Sequence, residues 1–112
     1  MLDGNNNLFI DCILQARMGS TRLPGKVLLN IDETDTIIEF LIKQINHSKI
    51  NRLIVAIPSG SENDILEEYL KKMNVTCFRG NECDVLDRYY QCAKKFSLKH
   101  IVRLTGDNPL ID

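Results

Sequence analysis

The fold is decided by the stretch LFIDCILQARMGSTRLPGK, which runs from Leu8 to Lys26. Its first part, Leu8 to Gln15, is mostly apolar and β-branched, which predicts a buried strand rather than a helix. The remainder contains two glycines, one proline and three cationic side chains, which predicts a loop at the carboxyl end of that strand. A buried strand that runs directly into such a loop is typical of an α/β protein with a parallel sheet.

The rest of the chain continues this alternation of strands and helices. In chain order we predict a short extended piece at Val27–Ile31, a helix capped by Thr34 or Asp35 and ending near Ser48, a strand at Arg52–Ile57, a helix from Ser61, a strand at Val75–Phe78 stopped by Gly80, a helix from about Asp84 to Ser97, and a strand at His100–Leu104. The order β-α-β-α-β-α-β predicts a parallel sheet with helices on both faces. Right-handed crossovers give the strand order 3-2-1-4, a Rossmann-like arrangement that places the carboxyl ends of the first and fourth strands side by side.

Composition indicates an ordinary soluble domain. The chain has 112 residues, 44% hydrophobic and 26% charged, with a formal net charge of −1. This balance gives no bulk reason to expect binding to nucleic acid or to an anionic membrane. No apolar run approaches the roughly 18–20 residues of a membrane span. Since the first seven residues are polar and do not resemble a signal peptide, we expect a frayed or disordered terminus at 1–7, a cytoplasmic protein and four reduced cysteines.

The loop from Arg17 to Lys26 has the composition of a phosphate-binding site. Three cations, two hydroxyl side chains and two glycines lie within ten residues. Arginine donates in pairs, lysine supplies compact charge, and glycine lets main-chain N–H groups approach phosphate oxygens. The spacing excludes a Walker motif, because Val27 rather than a hydroxyl residue follows Lys26 and because Gly19 and Gly25 are six positions apart. The alternative is a solvated basic loop on an ordinary α/β domain.

Asp107 follows the predicted fourth strand in a Gly-Asp-Asn-Pro turn. A carboxylate at the end of a strand is well placed to bind Mg²⁺, which prefers one or two carboxylates together with phosphate oxygens. The alternative is that Asp107 only bonds its own backbone in an ordinary turn. A triphosphate loop beside a metal ligand, with no obvious covalent nucleophile, favours direct in-line nucleotidyl transfer.

The segment between the third strand and the third helix contains further charged residues. Asp84, with Asp87 three positions later, is typical of a helix cap. Arg79 and Arg88 remain open, either as contacts to a substrate or as structural residues. The face of this helix that we predict to be buried consists of Val85, Leu86, Tyr89, Cys92, Ala93 and Phe96.

Three motifs together resemble the cytidylyltransferase family, which includes the acylneuraminate and 3-deoxy-manno-octulosonate cytidylyltransferases. The motifs are the stretch from Ile13 to Lys26, the pair Arg79-Gly80 with the stretch from Asp84 to Tyr89, and the stretch from Arg103 to Asp112. The branch they resemble most closely is that of the spore coat polysaccharide biosynthesis protein F type. The resemblance implies a Rossmann-like nucleotidyltransferase fold that transfers CMP from CTP to a sugar or sugar acid and releases pyrophosphate.

The resemblance also assigns roles by position. The residues it implies for the triphosphate are Arg17, Ser20, Arg22 and Lys26, with backbone contacts from Ala16 and Gly19. Thr105 and Gly106 would lie near the ribose, and Asp107 would bind Mg²⁺. The catalytic set is Arg17, Lys26 and Asp107, and the candidate sugar contacts are Arg79 and Arg88.

Members of the resembled family are typically about twice as long as this chain. The resemblance therefore implies that residues 8–112 form the N-terminal, nucleotide-binding half of a cytidylyltransferase domain, in which we expect nucleotide binding and little turnover. The expected partners are a second copy of the chain, as a homodimer, or a missing C-terminal half. Two alternatives stay open: a non-catalytic half-domain that assembles with another chain, and a uridylyl- or guanylyltransferase on the same fold.

Overall fold

A computed structural model describes residues 10–19 and 25–105 of the chain. The helices and strands are β1 (Asp11–Gln15), α1 (Ile37–Asn46), β2 (Arg52–Pro58), α2 (Asp64–Lys72), β3 (Thr76–Gly80), α3 (Val85–Lys95) and β4 (Ile101–Thr105). The four strands form one parallel sheet in the order β3-β2-β1-β4, which confirms the predicted fold and strand order.

The sheet is covered on both faces, because alternate residues of a strand point to opposite sides. On one face, Cys12 and Leu14 of β1 pack with buried residues of α1 and α2. On the other face, Ile13 packs with Ile54 and with Cys92 of α3. β1 is therefore buried along its whole length. β4 lies at the edge of the sheet, and its Val102 and Leu104 are 39% and 40% exposed.

The N-terminus of α1 differs from the prediction. The cap is Thr36, not Thr34 or Asp35: the Glu39 N–H donates to Thr36 Oγ1, and the Thr36 N–H donates to Glu39 Oε1. Glu39, three residues after Thr36, completes this capping box. Thr34 and Asp35 instead donate their backbone N–H groups to the Asp32 carboxylate, which makes them part of the preceding turn.

The same cap connects α1 to α2. The Tyr69 hydroxyl donates to Glu39 Oε1 over 2.5 Å and lies 3.2 Å from Thr36 Oγ1. The pKa of Glu39 is lowered, first by the hydrogen bond from Tyr69 and then by the backbone N–H of Thr36. A carboxylate with a lowered pKa stabilises the fold above its ordinary pKa, and this contribution is lost as the pH falls through the folded-state pKa.

We therefore predict that Tyr69→Phe lowers the free energy of unfolding by about 1 kcal/mol at pH 7, because a hydrogen bond to a partly exposed carboxylate is lost. The deficit should shrink as the pH falls through the lowered pKa of Glu39, because the protonated carboxyl accepts the hydrogen bond more weakly. Urea denaturation at pH 7 and pH 3 measures both values. The control is Tyr90→Phe, at an exposed position of α3. An equal deficit at both pH values would show that the Glu39 charge has no part in the contact.

Candidate functional site

The carboxyl ends of β1 and β4 lie side by side, as the strand order predicts. Gln15, the last residue of β1, is paired in register with Thr105, the last residue of β4. A cavity of about 430 Å³ opens at this junction. Its lining comes from the end of β1 and the residues after it (Gln15, Ala16, Arg17), the first turn of α3 (Val85, Leu86, Arg88) and β4 (Arg103, Leu104, Thr105).

The cavity is cationic. Three arginines, Arg17, Arg88 and Arg103, line it, and no acidic side chain is among its lining residues in the described part of the chain. Arg103 also stacks on the Tyr89 ring, with its guanidinium carbon 5.2 Å from the ring centroid. Arginines at the edge of a low-dielectric cavity attract and orient an anion.

Arg88 and Gln15 form the buried polar part of the wall. Arg88 Nε donates to Gln15 Oε1 over 2.9 Å, and its NH1 group donates to the Asn81 carbonyl over 2.8 Å. Gln15 Nε2 in turn donates to the Val85 carbonyl. These bonds orient the Gln15 amide and connect the end of β1 to the start of α3.

Arg88 corrects the prediction for the buried face of α3. Val85 and Leu86 are 49% and 66% exposed, whereas Arg88 is only 3% exposed. The reason is that the Arg88 guanidinium has hydrogen-bond acceptors beneath the helix, so it can be buried without being left unsatisfied. Gly80 permits this approach, because a Cβ there would lie 2.7 Å from Arg88 Cγ. The predicted Asp84 cap is confirmed, since its side chain accepts from the Asp87 N–H over 3.0 Å.

The segment after Arg17 turns toward the opposite face of the sheet. The Met18 N–H donates to Asn63 Oδ1 over 2.8 Å, and the Met18 carbonyl accepts from the Gly25 N–H over 2.7 Å. Gly25 has a φ of 74°, a left-handed conformation that suits glycine. It begins a 3-10 turn at Lys26–Leu28 in which Val27 is buried. The short extended piece predicted at Val27–Ile31 is therefore wrong at Val27 and Leu28, where burial of Val27 against the α1 side of the core draws the chain into a turn. Leu29 is extended, and Asn30 forms an antiparallel bridge with Thr36.

The structure brings together only some of the predicted site residues. Ala16, Arg17, Arg88 and Thr105 line the cavity. Gly19 and Lys26 are not among the residues that line the cavity. Gly19 lies beside Glu62, and a Cβ on Gly19 would be 3.2 Å from the Glu62 carboxylate. Four predicted residues lie outside the described residues: Ser20, Arg22, Gly106 and Asp107.

Arg79 is placed away from the cavity and makes a cluster of internal bonds. Its Nε donates to the Pro58 carbonyl, and its NH2 group donates to the carbonyls of Ser59 and Gly60. Its NH1 group donates to Asp64 Oδ1 at 3.1 Å and to Glu67 Oε1 at 2.8 Å. These contacts connect the end of β3 to the β2–α2 junction, and they favour the structural interpretation of Arg79.

Three of the four cysteines are poor nucleophiles at neutral pH. Burial raises the pKa of Cys12, Cys77 and Cys92 to about 11, so these thiols are protonated at neutral pH. All four cysteines are free thiols. Among residues 10–19 and 25–105, no group of three or more His, Cys, Asp or Glu side chains is arranged to hold a metal ion. The helices in these ranges are also too short or too polar to cross a membrane.

Two polar residues near the site had no role assigned from the sequence. Gln15 is the last residue of a buried strand at the switch point, and a polar residue at that position could have been predicted to lie at the ligand site. Asn63 precedes α2, where asparagine ordinarily indicates a helix cap, so the sequence contains no signal for its contact with Met18.

The chain is similar to known proteins in both sequence and fold. Residues 12–112 match the family described as cytidylyltransferase. The spore coat polysaccharide biosynthesis protein SpsF of Bacillus subtilis is 39% identical over 113 aligned positions, and the alignment covers 96% of this chain and 45% of SpsF. The 3-deoxy-manno-octulosonate cytidylyltransferase of Chlorobium chlorochromatii is 31% identical, over 88% of this chain and 39% of that enzyme.

Among solved structures, a cytidylyltransferase from Leptospira borgpetersenii superposes with a TM-score of 0.82 at 42% identity, covering 95% of this chain and 44% of the other. The chain thus spans less than half the length of each of these three proteins. Family match, sequence identity and fold agree, and the chain belongs to the cytidylyltransferase family.

Proposed function

We propose that this chain is the nucleotide-binding part of an enzyme that transfers CMP from CTP to a sugar or sugar acid in surface polysaccharide biosynthesis. The observation that carries the proposal is the arginine-lined cavity at the carboxyl ends of β1 and β4. Ligands of open α/β sheets bind at such a switch point. The names of the SpsF and octulosonate relatives support the cytidylyl and polysaccharide parts of the proposal.

The proposed reaction is a direct displacement at phosphorus. A hydroxyl oxygen of the sugar attacks the α-phosphorus of CTP and its proton passes to solvent. The bond from the α-phosphorus to the bridging oxygen of the β-phosphate breaks, and pyrophosphate leaves with that oxygen. Negative charge develops on the leaving group, and fixed cations stabilise it. We assign this charge stabilisation to the cations Arg17, Arg22 and Lys26, with the Ser20 hydroxyl as an additional hydrogen-bond donor. The backbone of Ala16 and Gly19 is assigned to contacts with the nucleotide.

The ribose and metal parts of the site are assigned to the segment that follows β4. Thr105 lines the cavity, and we propose that it and Gly106 lie near the ribose. Asp107, two residues further along the chain, is the proposed Mg²⁺ ligand. When bound, Mg²⁺ would neutralise phosphate charge. Arg88 is the proposed sugar-side contact, because it is part of the cavity wall.

Nucleotide selectivity tests the proposal. CTP with Mg²⁺, at a hundred times its dissociation constant, should add about 2.7 kcal/mol of stability, and UTP, GTP and ATP should add less. Lys26→Ala and Asp107→Ala should remove most of the CTP effect, whereas Lys49→Ala, in the loop before β2, should retain it. Thermal-shift titration measures all four nucleotides. Equal shifts for the four would refute the choice of CTP, and no shift for any would refute nucleotide binding.

A pair of arginine variants separates support of the fold from ligand binding. Arg79→Ala should lower the free energy of unfolding by about 2 kcal/mol, because three carbonyls and two carboxylates lose their donor, and should leave the CTP shift intact. Arg17→Ala, at an exposed position, should leave stability within about 0.5 kcal/mol and remove most of the CTP shift. If Arg79→Ala folds but its unfolding temperature does not rise with CTP, Arg79 would instead be a substrate contact.

The exposed edge of β4 favours a second candidate, a half-domain that assembles with another polypeptide or with a second copy. Val102 and Leu104 present apolar surface beside a strand edge that pairs with no other described strand, and such an edge is a known route to association. Size-exclusion chromatography with light scattering measures the assembly state. A monomer that binds none of the four nucleotides would contradict both candidates.

A further inference from the structure

Asn63 makes an unexpected use of a helix-capping position. It directly precedes α2, where an asparagine side chain ordinarily accepts from the backbone N–H two or three residues later. Within the described residues, its side chain makes no such bond to α2. Its Oδ1 instead accepts from the Met18 N–H over 2.8 Å, across 45 positions of sequence. Its Nδ2 donates more weakly to the Gly60 carbonyl, at 3.4 Å.

Burial makes the hydrogen bond between Asn63 and Met18 costly to lose. Asn63 is 0% exposed, so its amide oxygen has little access to water and needs a partner inside the protein. The Met18 N–H is that partner. Removing the acceptor would leave a partly buried N–H group unsatisfied, which costs more than the net contribution of an average hydrogen bond.

Met18 in turn connects Asn63 to Gly25. Its N–H is bound by Asn63, and its carbonyl accepts from the Gly25 N–H. Both backbone polar groups of Met18 therefore have fixed partners. Because Gly25 is followed directly by Lys26, the placement of Met18 also sets where this lysine begins its turn.

We propose that Asn63 is a positioning residue for nucleotide binding: its side chain holds the Met18 backbone, and through Met18 the Gly25 backbone and the start of the Lys26 turn, in the binding-competent arrangement. This inference rests on the proposed function. Phosphate-binding backbone groups bind best when they are already aimed before the ligand arrives. If only a fraction of molecules has the competent arrangement, the apparent dissociation constant rises in inverse proportion to that fraction.

The test measures amide hydrogen exchange and CTP binding in the same variants. Asn63→Leu keeps the size of the side chain and removes the acceptor, and Asn63→Asp keeps an oxygen acceptor. Leu70→Ala is the control, because Leu70 is equally buried at the other end of α2. NMR-detected exchange reports the Met18 amide separately from those of α2 and β2, and calorimetry with CTP and Mg²⁺ gives the dissociation constant. If Asn63→Leu does not fold, Asn63→Ala takes its place with the same expectation.

In Asn63→Leu, protection of the Met18 amide should fall selectively, and the dissociation constant for CTP should rise roughly tenfold. Asn63→Asp should restore Met18 protection. Leu70→Ala should lower protection throughout the sheet and leave the dissociation constant within about twofold. Unchanged Met18 protection in Asn63→Leu, or selective loss of protection with unchanged CTP affinity, would overturn the inference. Failure of the wild-type chain to bind any nucleotide would overturn the proposed function and this positioning role. Selective loss of Met18 amide protection in Asn63→Leu would still establish that Asn63 holds the Met18 backbone.

Discussion

The parallel pairing of β4 with β1 is the interaction on which the candidate site depends. It sets Gln15 opposite Thr105, so the two strands end at the same level and open onto one cavity. β1 is buried on both faces, which makes its register costly to change. A slip of one residue would turn Gln15 away from α3 and toward the side of α1 and α2. The contact between Gln15 and Arg88 would then be lost, and with it the polar wall of the cavity.

Apolar packing and polar contacts have different tasks in this molecule. Hydrophobic burial is not directional, and here it holds α1 and α2 on one face of the sheet and α3 on the other. Hydrogen bonds are directional, and they fix the carboxyl ends of the strands where geometry matters for a ligand. Arg88 connects α3 to β1, and Asn63 connects the start of α2 to Met18. The sheet therefore supplies the location of the site, while a few buried polar side chains supply its shape.

The fold could be predicted from the sequence because it depends on repeated, local patterns. Apolar strands alternating with amphipathic helices suffice to predict the strand order, and Asp84 could be recognised as a cap from its neighbours alone. Two of the errors arise where a distant partner decides. Arg88 replaces Val85 and Leu86 on the buried face because Gln15, 73 positions earlier, accepts its hydrogen bond. Val27 and Leu28 form a turn rather than part of an extended piece because the core beside α1 takes up the Val27 side chain. At Asn63, the sequence contains no signal for the acceptor role, which depends on a residue in another loop.

The site is therefore less predictable than the fold, although Arg17, Arg88 and Thr105 do meet at the cavity. A titration of the isotope-labelled chain with CTP and Mg²⁺, followed through backbone amide chemical shifts, tests most directly whether this edge of the sheet binds nucleotide. The largest changes should occur at Ala16, Arg17 and Thr105, while Asp11 and Ile101, at the opposite ends of the same strands, should stay nearly unchanged. Changes confined to another surface, or none at millimolar CTP, would contradict the placement of the nucleotide at the junction of β1 and β4.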